Sequence, residues 1–138
     1  MKWIEPKVTW QRSDFINNED YNRIINNIEY LRAMFIPLGY VYYIEHLGEV
    51  YYSREDVLNV LNSIEYNIES TANNTFRRFE YRGKREQHGN NSHWDFNDLN
   101  RIERNLLGFY ETLKAVQNTT YMIPLYLGVG LNADKVVF

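Results

Sequence analysis

The chain has 138 residues, no cysteine and a formal net charge of −3. That length fits one domain burying roughly 65–70% of its unfolded surface, so a core can form without covalent staples. The missing cysteine excludes disulfides and cysteine-based zinc sites, and the acidic balance argues against nucleic acid or an anionic membrane surface as partner.

In chain order, residues 1–16 read as an extended arm, with strand character at Val8-Thr9-Trp10 and Pro6 opposed to helix. The opening Met1-Lys2-Trp3-Ile4-Glu5-Pro6 lacks the pattern of a signal peptide. Asn17 or Asn18 caps a first helix whose acidic first turn, Glu19-Asp20, suits the helix dipole. Tyr21, Ile24, Ile28, Leu31 and Phe35 then form one apolar face, and Pro37 and Gly39 end it. Residues 40–52 are rich in Tyr, Val and Ile, which predicts a short hairpin turning near Leu47-Gly48, or an aromatic segment packed across the helices. Ser53 and Asp56 make an approximate capping box for a second helix with Val57, Leu61, Ile64 and Ile68 as its stripe, fraying at 71–74. Residues 75–93 combine strand-like TFRRFEYRG with a polar loop. A third helix, capped by Asp95 or Asn97, carries the stripe Leu99, Ile102, Leu106, Phe109, Leu113 and Val116. The apolar tail from Tyr121 reads as two short extended pieces; no stretch of the chain approaches the ~20 apolar residues of a membrane span.

The three helices read as versions of one another. Glu19-Asp20 followed by Ile28-Glu29-Tyr30 matches Glu55-Asp56 followed by Ile64-Glu65-Tyr66, an offset of 36. Asp98-Leu99-Asn100-Arg101-Ile102 repeats Asp20-Tyr21-Asn22-Arg23-Ile24, and 42 residues separate the second copy from the third. The middle copy departs from the pattern, because Asn59 falls one residue late for the Asn-Arg pair. Asparagine occurs seventeen times, much of it inside the expected helices, where local propensity does not explain it and bonding to neighbouring segments would.

Trp10, Asp14, Asn17, Asp20-Tyr21-Asn22-Arg23-Ile24, Asn27-Ile28, Tyr30-Leu31 and the later Asp98 to Glu103 carry a resemblance. In these residues the chain resembles small structural proteins from the tails and baseplates of phages and prophages of Gram-positive bacteria. The resemblance touches most of the chain, and its two Asn-Arg-Ile boxes are the distinctive part. It implies a non-enzymatic virion component, assembled in the bacterial cytoplasm, that works in several copies and contacts other tail proteins. The inference to function is by analogy.

The candidate contacts are Trp10, Asp14, Asn22, Arg23, Asn100 and Arg101. For the Asn-Arg pairs the structural reading is that Arg reaches a carboxylate or carbonyl on a neighbouring helix and Asn bonds loop backbone; the functional reading is contact with another subunit. Tyr40, Tyr42, Tyr43, Tyr51 and Tyr52 form either a half-buried ribbon or a saccharide platform. Arg77, Arg78, Arg82, Lys84 and Arg85 interleave with Phe76, Phe79 and Tyr81, a pattern that can stack bases, but Glu80 and Glu86 dilute it. His46, His88 and His93 lack metal-ligand spacing, and no nucleophile elbow, phosphate loop or dinucleotide fingerprint occurs. No catalytic, cofactor or metal site is expected.

The expected architecture is mainly α, with three related helices in a bundle, a small β-hairpin or ribbon, and extended N- and C-terminal segments. It forms a single domain, 1–138: an arm at 1–16, a helical core with inserted loops at 17–117, and an extended segment at 118–138. The expected function is structural, within a phage tail or baseplate and as a homo-oligomer, without nucleic acid or membrane. The alternative is a receptor- or saccharide-binding module at the tail tip.

Overall fold

The computed structural model describes the backbone of residues 1–48, 54–83 and 95–130, and the side chains of these except 54–58 and 119–130. It is mainly helical. Helix α1 spans Asn18–Phe35, α2 Arg54–Asn74 and α3 Phe96–Gly130, and each packs on the other two. Asn17 caps α1 in a reciprocal box with Asp20, the Asp20 N–H donating to Asn17 Oδ1 (3.1 Å) and the Asn17 N–H to Asp20 Oδ2 (3.0 Å). Asp95 does the same for α3 with Asp98 (3.0 and 3.4 Å). The box expected at Ser53 and Asp56 lies outside the described residues. After α1 a 3-10 turn, Ile36–Leu38, ends at Gly39, whose φ of 93° is the left-handed conformation glycine adopts freely.

The apolar stripes meet in one core. Ile24, Ile28, Leu61, Ile64, Ile102, Leu106 and Phe109 are all buried, as are Tyr21, Leu31, Phe35, Ile68 and Leu113. Phe35 sits at the centre, edge-on to Tyr40, Tyr42, Phe76 and Phe109. Helix α2 does not fray at 71–74. Thr71 and Ala72 are buried, and the Thr71 hydroxyl donates to the Asn67 carbonyl (3.0 Å), so tertiary packing overrides weak local propensity.

Three extended segments complete the fold: strap 1 (residues 1–10), strap 2 (residues 40–48) and strap 3 (residues 76–83). Among the described residues no strand forms, so residues 40–48 are not half of a visible hairpin, and 49–52 lie outside the described residues. The alternation that predicts a strand is present. Tyr42 and Ile44 are buried while Val41 and Tyr43 are exposed. What differs is the neighbour, since each strap lies in a groove between two helices and bonds to their side chains. Strap 3 approaches α3 closely enough that a Cβ on Gly108 would sit 2.6 Å from the Phe79 ring. The same inward packing of Phe76, Phe79 and Tyr81 accounts for the basic and aromatic interleaving, with Arg77, Arg78 and Arg82 left on the surface.

The tail departs from expectation. Helix α3 continues through Gly130, so 118–130 is helical rather than extended, and 131–138 lie outside the described residues. Each residue added to an existing helix, other than Pro124 with no N–H to donate, gains a backbone bond without a new nucleus, and in the sequence the tail's glycines come only at 128 and 130. Among the described residues no helix is long and apolar enough to cross a membrane.

Candidate functional site

An extended segment in a helical groove has a problem that a strand in a sheet does not. Its N–H and C=O groups are shielded from water and no neighbouring strand answers them. Asparagine solves it, because a carboxamide offers the same acceptor and donor as a peptide group. The Ile4 N–H donates to Asn27 Oδ1 (3.0 Å) and Asn27 Nδ2 donates to the Ile4 carbonyl (2.7 Å). Asn67 grips Glu45 in the same way, at 2.7 and 2.8 Å, and Asn105 grips Arg82 at 3.3 and 2.9 Å. The gripped residue precedes its asparagine by 23, 22 and 23 positions. The chain is therefore three tandem units, each a strap followed by the helix that holds it.

This spacing sets the register of the repeat. Asn27, Asn67 and Asn105 align at offsets of 40 and 38, not the 36 and 42 that the Glu-Asp and Ile-Glu-Tyr matches suggest. In the corrected register Ile24, Ile64 and Ile102 coincide, as do Ile28, Ile68 and Leu106, all of them buried. The same register aligns Arg23 with Ser63 and Arg101, and Ile25 with Glu65 and Glu103.

Two of these positions form inter-helix locks. Arg23 Nε and Nη2 donate to Glu103 Oε1 and Oε2 (2.8 and 2.9 Å), tying α1 to α3. Arg101 Nη1 and Nη2 donate to Glu65 Oε1 and Oε2 (2.9 and 2.6 Å), tying α3 to α2. The carboxylates are deeply buried, Glu103 at 0% exposure and Glu65 at 2%, a setting in which a two-pronged guanidinium is the fitting partner. Burial works against the charge of Arg23. The hydrogen bonds and charge of Glu103, then of Asp20, outweigh it, so the guanidinium holds its proton above the ordinary arginine range. Arg101 follows the same pattern with Glu65 and Asp98. The third position of the set departs: Ser63 instead donates to Glu45 Oε2 on strap 2 (2.5 Å), and Ile25 stands where the others have glutamate.

Of the residues singled out from sequence, four converge on these ties. Trp10 is 3% exposed. Its indole N–H donates to Glu103 Oε2 (2.5 Å), and its backbone N–H and C=O are gripped by Asn100 (2.8 and 3.0 Å). The Lys7 N–H adds a bond to Glu103 Oε1 (3.2 Å). Arg23 and Arg101 take equivalent places, and Arg101 also reaches the Gly83 carbonyl (3.3 Å). Asp14 is apart. It is exposed, accepts from the Gln11 N–H (2.8 Å) and pairs with Lys7 (3.2 Å), and these two contacts, in that order, hold its carboxyl below the usual range. Asn22 is half-buried on α1 beside Arg23. Through Trp10, one of the candidate contacts, the arm is held as a strap against α3.

No family model, no curated protein and no solved structure matches this chain. The site therefore speaks through its geometry. Asn27, Glu65, Asn67, Glu103 and Asn105 are not among the candidate contacts named from sequence, although a signal for them is present: Arg-Ile-x-x-Asn at 23–27 and 101–105, with Ile-Glu-x-Asn at 64–67. Among the described residues no three of His, Asp and Glu gather as metal ligands, and every buried polar side chain has a bonding partner within the chain, apart from the Trp3 indole N–H. Chemically, the arrangement tethers extended polypeptide to helices.

Proposed function

We propose that the chain is a non-enzymatic structural component of a phage or prophage tail or baseplate, joining other virion proteins. One observation carries the assembly part of this reading. Asn100 of the second Asn-Arg-Ile box holds strap 1, and Arg23 and Arg101 lock α1 to α3 and α3 to α2 through buried carboxylates, which is scaffold work. The virion part rests on the resemblance of the same boxes to tail and baseplate proteins. The test is mass spectrometry of density-purified particles from a strain that encodes the chain and has been induced to release them. The chain should appear in the particle fraction at a fixed ratio to the major tail proteins. Its confinement to the soluble fraction would overturn the reading.

A second reading, a saccharide-binding module at the tail tip, draws on one surface. Tyr43 on strap 2 and Tyr66 on α2 are both exposed, with ring centroids 6.3 Å apart, in a segment that also exposes Val41. Aromatic faces in the open are what a sugar ring stacks on. Titration with cell-wall saccharides, followed by NMR of the tyrosine ring protons, decides it: shifts confined to Tyr43 and Tyr66 favour the module, and unmoved rings dispose of it.

A further inference from the structure

We infer that strap 1 is exchangeable between copies: the groove between α3 and α1 of one molecule takes residues 1–10 of a second copy of this chain. The inference rests on the assembly reading above and supplies a partner and a manner of joining. Strap 2 lies between α1 and α2 and runs in sequence from one to the other, and strap 3 does the same between α2 and α3. Strap 1 lies between α3 and α1 but is joined in sequence only to α1. Of the three grooves, this is the one whose occupant is not fixed by the helices on both sides.

The bonds that hold strap 1 are indifferent to which copy supplies it. Asn27 grips Ile4, Asn100 grips Trp10, and Glu103 accepts from the Lys7 N–H and the Trp10 indole. An arm arriving from a neighbour makes every one of them, and exchange of an identical element is a low-cost route to association for that reason. The connection to α1 carries a second observation. Residues 11–15 are exposed, and the bonds of Asp14 run to Gln11 and Lys7 within the arm and its connection rather than to a helix. Phe15 is 91% exposed, a large apolar side chain open to water in the segment that would serve as the hinge. In an exchanged pair two hinges pass one another, and each Phe15 gains an apolar neighbour.

The test uses full chains carrying single cysteines, since the native sequence has none. Val8→Cys marks strap 1 and Arg104→Cys marks α3, where Arg104 Nη2 reaches the Val8 carbonyl (3.4 Å). The two single variants are mixed, warmed close to their unfolding midpoint, cooled and treated with a short bismaleimide. A covalent heterodimer is expected, well above the yield obtained when Asn62→Cys, exposed on α2, replaces Arg104→Cys. A yield at the level of that control overturns the inference, whatever a second variant does. The second variant, deletion of residues 13–15, shortens the hinge so that the arm cannot fold back on its own molecule. It should sediment as a dimer of undiminished helix content, and a helical monomer of this variant also overturns the inference. Finding the chain in particles without the cross-link removes arm exchange and leaves the assembly reading standing.

Discussion

Arg101 and Glu65 show how the individual ties work. The guanidinium meets the carboxylate with both prongs at 2.9 and 2.6 Å, and the carboxylate is deeply buried while the guanidinium is partly so. Breaking such a pair from one side strands a buried charge, which costs about 3–5 kcal/mol, whereas replacing both members with apolar groups is often nearly neutral. Arg101→Met should therefore destabilise by about 3–5 kcal/mol, and adding Glu65→Met should recover most of the loss. Urea unfolding of the two singles and the double checks this. Equal loss in Arg101→Met and in the double variant would mean that the pair is not the tie described. Tyr42 gives a pH signature. Burial first, partly offset by its hydrogen bond to Thr71, pushes its phenol up to about 12 from an ordinary 10. The folded state thus keeps a proton that the unfolded chain releases near pH 10, so this contribution is full below pH 10 and declines as pH rises towards 12, by at most about 2–3 kcal/mol. Thermal melts of Tyr42→Phe should show a shallower alkaline decline than the native chain.

At the scale of the element, the helices were legible and the straps only in part, residues 1–16 as an extended arm and 40–52 as either a hairpin or an aromatic segment across the helices, for a physical reason. A helix stripe such as Leu99, Ile102, Leu106, Phe109 and Leu113 repeats every three to four residues and has one meaning, and Asp95 and Asn17 announce where helices begin. Strand-like alternation, as in Tyr42, Tyr43 and Ile44, reports that one face is buried and the other is not, and is silent on whether the backbone partner is a strand or a row of asparagines. The repeat was legible in kind but not in register. The Glu-Asp and Ile-Glu-Tyr matches fall partly on positions facing solvent, such as Tyr66, where little constrains the residue, while the gripping asparagines are set by geometry. The corrected register makes a prediction of its own. Arg23 pairs with Glu103 and Arg101 with Glu65, each time an arginine with the glutamate of the preceding helix around the ring, so the missing third lock would join residue 63 to residue 25. Ile25→Glu alone should be destabilising, since it buries a charge beside α2. Ser63→Arg in the same chain should restore part of the loss, with a favourable coupling of roughly 0.5–3 kcal/mol in a double-mutant cycle. A coupling of zero would show that these positions are not equivalents of the other two locks.

For the whole molecule, the arm decides whether the three units close. The arm's strand character and its tryptophan read equally well as a contact region for another subunit or as a filled groove, because an indole with a polar handle suits both. Only partners 90 or more residues away, Asn100 and Glu103, separate the two, and no local pattern reveals contacts of that range. Once seated, the arm completes a cycle: α1 to α2 through strap 2, α2 to α3 through strap 3, and α3 back to α1 through strap 1 and the Arg23–Glu103 lock. Removing it leaves Asn27, Asn100 and Glu103 without those bonds, so deletion of residues 1–12 should lower the stability of the helices themselves. Trp10→Ala isolates the effect with one side chain. It empties a buried site and takes a donor from Glu103, and large-to-small changes of this kind cost about 3–5 kcal/mol. If the cycle behaves as one cooperative unit, native-state hydrogen exchange should show the slowest amides of α2, a helix to which Trp10 makes no hydrogen bond among the described residues, losing as much protection as those of α1 and α3. If the loss is confined to the seam between α1 and α3 while α2 keeps its protection, the three units are stacked neighbours, each stable by nearest-neighbour contact, and closure adds nothing to the rest.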